Sequence, residues 1–257
     1  MPEINFVGKS DSGLKRTNNE DNFIVSTELG FCLVADGMGG AAAGEIASRI
    51  FTETTLELFS SSGGRSEKET IKLVQRAFSF ANERILSHVR ENPHHKGMGC
   101  TAELMAFSDK DFVIGHMGDS RIYCLRDGQL KQLTMDHSLV QNQINQGLIT
   151  MAEARNHPLR NVILRAVGIK KKLALDLVRG IMFPGDLFLL CSDGLSDMID
   201  DNLIRDILLS TSTLLQKVEK LIESANTAGG YDNITVVLFE IPPLPQANPS
   251  LFRRVHY

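Results

Sequence analysis

Apolar and polar positions change rhythm several times along the chain, and each change marks an element. Short β-type runs come first: "INFVG" at 4–8, "NFIVS" at 22–26 and "GFCLVA" at 30–35. Ala47, Ile50, Phe51, Thr54 and Leu58 then recur at i, i+3, i+4 spacing, which predicts a helix. The polar "SSSGGRS" at 60–66 reads as a loop. Ser66 with Glu69 makes a capping box that opens a second helix. Its buried stripe is Ile71, Val74, Phe78, Ala81, Ile85 and Val89, and it ends before Pro93. Strand-like runs return from 99 to 134 as "CTAELMAF", "DFVIGHM", "RIYCLR" and "QLKQLT". The polar, weakly periodic segment 137–172 suits a helical flap inserted beside the core. Two more strands, "LALDLVRGIM" and "DLFLLCS", precede helices over about 202–209 and 213–226, the latter stopped by Gly229-Gly230. "NITVVLFEI" at 233–241 closes the pattern, and the proline-rich 242–257 reads as a loose tail.

Strands, two helices, strands, two helices and a closing strand lack the regular βαβ alternation of a parallel sheet. They predict an α+β fold of antiparallel sheets with helices packed outside. No repeat or low-complexity linker divides the chain. It reads as one domain over 1–241, with the flap at about 137–172 and the tail at 242–257.

Composition narrows the function classes. With 42% hydrophobic residues in 257, the chain can bury a core without staples. A net charge of −4 argues against a general nucleic-acid binder and does not favour an anionic membrane surface. Cys32, Cys100, Cys124 and Cys191 are far apart and form no C-x-x-C pair, so they read as buried free thiols in a reducing compartment. "MPEINFVGKS" has no apolar signal region, and no segment is long and apolar enough to span a bilayer. A cytoplasmic protein is the expectation, monomeric because no heptad or surplus amphipathic face asks for a partner.

The candidate chemistry lies in three Asp-Gly pairs. Asp127-Gly128 joins two β-type runs of similar length, which is the two-residue hairpin signal. Asp36-Gly37 and Asp193-Gly194 differ, because each ends a wholly apolar strand and leads toward a helix with no partner strand in register. Singly, Asp36, Asp193 or Asp197 reads first as a helix cap or turn. Together with "NNED" (Asn18 to Asp21) and Asp232 in "GGYDNIT", they suggest carboxylates converging on a shared charge. A carboxylate at a buried strand end is costly to ionise alone, and a bare glycine beside it lets a carbonyl approach a ligand. With no His or Cys cluster competing, an all-oxygen set suits Mg²⁺ or Mn²⁺ rather than Zn²⁺.

"RTNNED", "VADGMGG", "GDSR", "CSDGLSD" and "GGYDNIT", in this order and spacing, resemble the signature blocks of the metal-dependent protein phosphatases (PPM, protein phosphatase 2C-like), over residues 5 to 241. The "DGMGG" spelling and the flap block at 136–150 resemble the bacterial branch. The resemblance implies a four-layer α-β-β-α sandwich and hydrolysis of phosphoserine and phosphothreonine in proteins by a metal-bridged water, opposing a serine/threonine kinase. It implies that Asp36 bridges two Mn²⁺ or Mg²⁺ ions, with the Gly37 carbonyl and Glu20 (through water) on one and Asp193 and Asp232 on the other. Asp119 with Asp193 matches a third, weaker site, although Asp119 alone also reads as a turn cap. Arg16 would grip the substrate phosphate, a task for which a guanidinium fork suits better than an ammonium. Asp21 and Asn233 would stand behind the ligands, Asn233 orienting Asp232.

The chain departs from the pattern at Met38 and Ala41, where relatives place a histidine, so no leaving-group acid is identified. His116, His137 and His157 read as ordinary core or surface histidines. Arg155, Arg160, Arg165 and "KKK" at 170–172 are either a solvated charge run or a contact surface for phosphopeptides. A binding module that recognises phosphoproteins without turnover is the rival class; retained Asp36, Asp193, Asp232 and Arg16 speak against it.

Overall fold

The computed structural model describes residues 4–39, 43–62, 66–108 and 111–242. In chain order its elements are β1 (Asn5–Asp11), β2 (Asn22–Ser26), β3 (Phe31–Ala35), β4 (Gly37–Met38), α1 (Ala43–Ser60) and α2 (Glu67–Glu91). Then come β5 (Gly99–Cys100), β6 (Ala102–Ser108), β7 (Asp111–Met117), β8 (Arg121–Arg126) and β9 (Gln129–Gln132). The flap carries α3 (Leu139–Asn145) and α4 (Met151–Arg155). The chain continues through β10 (Asp176–Ile181), β11 (Leu187–Cys191), α5 (Asp193–Ser196), α6 (Asp201–Leu209), α7 (Leu214–Thr227) and β12 (Ile234–Glu240).

Successive side chains of a strand point to opposite faces, so a strand covered on both faces must be apolar throughout. Phe31, Leu33 and Ala35 of β3 pack with Phe51, Val74 and Phe78 of α1 and α2, while Cys32 and Val34 join a second cluster with Phe188 and Phe239. β12 repeats the division: Ile234, Val236 and Leu238 pack with Leu195, Ile204, Val218 and Leu221, and Val237 and Phe239 face the other sheet. Three apolar interfaces therefore separate four layers. One antiparallel sheet runs β1-β12-β11-β8-β9 and the other β10-β7-β6-β3-β2, with helices on both outer faces. Between the sheets, Phe188 stacks on Phe239 at 4.9 Å and meets Phe112 edge-on at 5.5 Å. This is the α+β sandwich the sequence predicts.

Several boundaries moved for physical reasons. β1 runs on to Asp11, because its polar half still pairs with β12 from an edge position (Lys9↔Val236, Asp11↔Ile234). β10 begins at Asp176 rather than 173, its pairing with β7 starting at Asp176↔His116. β9 ends at Gln132. The expectation that Asp36-Gly37 has no partner strand is corrected: Gly37 and Met38 pair with Cys100 and Gly99 as a two-residue ribbon too short to show alternation. Because β4 intervenes, Asp36 does not cap α1. Asp127 sits at φ 50° and Gly128 at φ 75°, as a hairpin turn with both central residues left-handed requires. All four cysteines are free and buried. Among the described residues no helix is long and apolar enough to cross a membrane. The predicted tail lies outside the described residues beyond 242, as does Ala41.

Registers place the ends of several strands together. Asp11 faces Ile234, Cys191 faces Arg121 and Val236, Asn22 faces Ala35, and Ala102 faces Met117. The loops at 12–21, 36, 118–120, 192–193 and 228–233 thus share one end of the sandwich.

Candidate metal centre

Asp36 follows β3 directly. Its carbonyl accepts from Thr101 N–H (2.9 Å), its own N–H donates to Thr101 Oγ1 (3.3 Å), and that hydroxyl is shared with Ser120 Oγ (2.7 Å). One buried hydroxyl pair therefore ties the Asp36 strand end to the turn that carries Asp119. Gly37 N–H donates to the Glu20 carbonyl (3.2 Å), which also accepts from Ser48 Oγ (2.6 Å). A Cβ on Gly37 would lie 2.2 Å from Gly44 O and 2.5 Å from Glu20 O, so only glycine fits this approach.

Asn233 locks the opposite side. Its N–H donates to Asp232 Oδ1 (2.8 Å). Its side-chain amide donates to the carbonyls of Ser12 (3.0 Å) and Asn18 (2.9 Å) and accepts from Glu20 N–H (2.8 Å). A single residue so fixes Asp232 and the loop bearing Arg16 and Glu20. Asp21 Oδ2 accepts from Ser192 Oγ (2.7 Å) and Thr235 Oγ1 (2.6 Å), while Ser192 Oγ accepts from Thr235 N–H (2.9 Å). Asp193 opens α5 immediately after that serine. Arg16 Nη2 donates to Asp232 Oδ2 at 2.7 Å on the exposed rim.

The electrostatics are those of acids lacking a counter-charge. Burial pushes Asp36 well above the usual carboxylate range, and Asp21, Asp193, Asp119 and Asp232 push it further. Burial does the same to Asp193, reinforced by Asp119, Asp197 and Asp232. Asp119 rises to about 7 through burial and the charges of Asp136 and Asp197. Burial lifts Asp21 to about 6, although the Thr235 and Ser192 hydroxyls hold it down. Burial pulls the Arg16 guanidinium down, but Asp232 more than offsets that and raises it.

Asp119 Oδ1 and Asp193 Oδ1 are buried without a hydrogen-bond partner. Orphaned anionic oxygens are costly, and a cation would satisfy these two. Among the described residues no three His, Cys, Asp or Glu side chains already close into a metal-holding set. Carbonyl oxygen and water would complete the shell, as hard cations that keep part of their hydration allow.

The Asp119 and Asp193 side of the cluster opens into a cleft of about 420 Å³ that Asp197 and, from the flap, Arg155 and Arg160 also line; Arg16, Glu20, Asp36 and Asp232 lie outside its lining. Arg160 Nε lies 3.9 Å from Asp197. Arg16, Glu20, Asp21, Asp36, Gly37, Asp119, Asp193, Asp232 and Asn233 all come to this end of the sandwich. Of the histidines, His137 braces the turn before Asp119, its Nδ1 accepting from Gly118 N–H (3.2 Å), while His116 is buried against Glu103 and His157 Nδ1 accepts from Leu159 N–H (3.1 Å). Sequence reasoning missed Thr101, Ser192 and Thr235. Their only signal is a small hydroxyl in an otherwise apolar run.

A family model described as Protein phosphatase 2C matches residues 14–236. Serine/threonine protein phosphatase PstP of Mycobacterium tuberculosis is 37% identical over 241 residues, covering 93% of this chain but 45% of its own length. The chain thus spans about half of that relative. Protein phosphatase PhpP of Streptococcus pneumoniae is 38% identical over 236 residues, covering 89% of this chain and 94% of its own. The crystal structure of the M. tuberculosis phosphatase PstP/Ppp superposes with a TM-score of 0.87 at 36% identity, covering 93% of this chain and 99% of that one. The PstP catalytic domain in complex with two manganese ions gives 0.85 at 35% identity, covering 93% and 98%.

Proposed function

The chain belongs to the protein phosphatase 2C family, and we propose that it hydrolyses phosphoserine and phosphothreonine in proteins with Mn²⁺ or Mg²⁺ as cofactor. The observation that carries this reading is the pair of orphaned, buried oxygens on Asp119 and Asp193 inside a cluster of mutually destabilised acids. Asp36 would hold both ions, with the Gly37 carbonyl and Glu20 completing one shell and Asp193 and Asp232 the other. Asp119 with Asp193 would hold a third, weaker ion. When bound, such ions supply a water of lowered pKa and neutralise charge on the phosphate as in-line attack develops.

The chain's own residues orient and bind. Arg16 stands on the rim, where its fork can leave Asp232 in part and take phosphate oxygens bidentately. Asn233 keeps the backbone of the Arg16 loop and Asp232 in one frame, which leaves the guanidinium itself free to turn toward substrate. Asp21, held by two hydroxyls, fixes Ser192 and thereby the start of α5 at Asp193. Met38 carries no proton to give, so the leaving oxygen is protonated by some other group. Helical layers cover both sheets, which supports action as a monomer. The partners on this reading are phosphorylated proteins and the serine/threonine kinase whose signal is erased, within the cytoplasm.

The test is phosphate release from a phosphothreonine peptide with Mn²⁺, with Mg²⁺ and with chelator, for the native chain and Asp193→Ala. Turnover that needs metal and vanishes in the variant is the expected result. Peptide binding with no turnover in either metal would replace this reading with that of a non-hydrolysing phosphoprotein binder.

A further inference from the structure

The basic residues of the flap fall into two groups that do not share a surface. Arg155 and Arg160 line the metal cleft, whereas Arg165, Lys170 and Lys172 line a separate pocket of about 230 Å³ with Met117, Ile169 and Leu173. Its floor is apolar, with Met117 buried, and Leu164 and Ile169 stand 41% and 42% exposed at its edge. Its rim is cationic. Arg165 is paired with Asp176 (2.9 Å), but among the described residues Lys170, Lys171 and Lys172 make no ion pair. In a chain of net charge −4 this patch is a local exception, not an extension of a basic face.

A lysine run is usually a solvated loop, yet this one is bolted to the core. Asn82, buried in α2, donates to the Lys170 carbonyl (3.1 Å) and accepts from Gly168 N–H (2.8 Å). Val167 and Cys100 exchange two backbone hydrogen bonds (2.9 and 3.0 Å). Gly168 lies at φ 89° with its missing Cβ only 2.3 Å from Ile85 Cγ2, so the loop is pressed onto α2 where no side chain fits. Rigid presentation of unpaired cations around an apolar hollow lowers the ordering cost of binding.

We propose that this pocket docks an acidic segment of the phosphorylated substrate protein, one that carries an apolar side chain for the hollow. The proposal rests on the phosphatase reading for its partner and on the charge complementarity above for its chemistry. β7 delivers Met117 to the pocket floor and Asp119 to the metal cleft two residues later, at most about 7 Å along the backbone. The docking segment therefore belongs to the same substrate as the phosphorylated residue, some residues away in sequence.

The experiment compares the full chain with its Lys170→Glu/Lys172→Glu variant. A fluorescein-labelled, unphosphorylated peptide with a leucine flanked by glutamates is titrated with each, by anisotropy at low and at physiological salt. The native chain should bind it, the variant at least about tenfold more weakly, and added salt should narrow the gap. Fusing the same segment to a phosphothreonine peptide should lower KM for the native chain and leave kcat unchanged. The variant's melting curve and its turnover of p-nitrophenyl phosphate should match the native chain, since neither lysine lies in the metal cleft. Equal binding by both proteins, no binding at low salt, or capture by phosphatidylserine vesicles in place of the peptide would overturn the proposal. Loss of peptide binding in the variant with no metal-dependent turnover of any phosphomonoester would instead sink the phosphatase reading and leave the pocket's acidic ligand standing.

Discussion

Two sets of buried acids occur in the sandwich, and the chain treats them in opposite ways. Glu103, Asp136 and Asp186 each have a cation of their own. Glu103 pairs with His116, both fully buried. Asp136 takes a bidentate fork from Arg121 (3.0 and 2.6 Å), and Asp186 takes one from Arg126 (2.7 and 2.7 Å). Asp36 and Asp193, by contrast, face only other acids, Asp119 among them. The Arg16 guanidinium gives its hydrogen bond to Asp232 on the rim. An acid with an internal counter-ion is part of the fold, whereas a cluster without one is incomplete until an ion arrives. The difference separates structural charge from functional charge without reference to any relative.

The largest effect should come from neutralising the unpaired set. Asp36→Asn or Asp193→Asn should lower kcat/KM with a phosphothreonine peptide on the order of 10³-fold or more, since each removes a carboxylate that would hold the ions on which the attacking water depends. The metal-free variants should melt no lower than the native chain, because a repelling carboxylate has become neutral. Melting that falls with activity would dissolve the distinction between the two sets.

The paired set should behave inversely. His116→Ala leaves the Glu103 carboxylate buried and alone, with Oε2 already lacking a partner. Breaking a buried pair in this way costs about 3–5 kcal/mol. Chemical denaturation measures it, and Glu103→Leu/His116→Leu should recover most of the loss. The loss should appear in stability far more than in kcat, because the imidazole does not reach the cleft.

The contrast was only half legible in the sequence. Asp36 and Asp193 stood out because each carboxylate ends an apolar strand beside a glycine, Glu20 in "NNED" and Asp232 in "GGYDNIT" joined them as further acids, and the parts of Arg16 and Asp119 followed by resemblance. The internal counter-ions did not stand out. Glu103 meets His116 only because β6 and β7 pair in the register Glu103↔His116, and thirteen residues of hairpin give no hint of that alignment. The layers were readable because α1, α2 and α7 keep a helical period and the central strands are apolar on both faces. The β4–β5 ribbon was not, since two residues carry no period. Asn233 was read as orienting Asp232, but its larger part, clamping Ser12, Asn18 and Glu20, depends on a loop whose path no pattern encodes.

A cation should stabilise one set and ignore the other. At a hundred times its dissociation constant, Mn²⁺ should raise the unfolding free energy by about 2.7 kcal/mol. Chelator should return the melting curve to its metal-free position. The same shift should survive in Glu103→Leu/His116→Leu and shrink in Asp119→Asn, which keeps the rest of the cluster. A shift that the first variant abolished would mean the two sets are one electrostatic unit.

The finest discrimination lies in the pH dependence of stability, with a slope of about 1.4 kcal/mol per pH unit for each proton exchanged. Burial raises Asp119 to about 7, so the folded state holds a proton that the unfolded chain releases near its ordinary 3.8. That acid therefore costs nothing below pH 4, and it costs progressively more as pH rises to about 7. Burial alone would lower His116, but Glu103 outweighs it and raises the imidazolium to about 9. Its stabilisation is complete below the ordinary 6.5 and is lost as pH climbs from there through 9. Both sets thus weaken the fold on the alkaline side, in adjoining windows. Glu103, itself raised by burial, adds to the lower window whether or not metal is present. Denaturation series from pH 4 to 9 with Mn²⁺ and with chelator separate the contributions. Metal should flatten the part of the lower slope that belongs to the cleft and leave the decline toward pH 9 untouched. A metal effect confined to the upper window would assign the unfilled charge to the wrong set of acids.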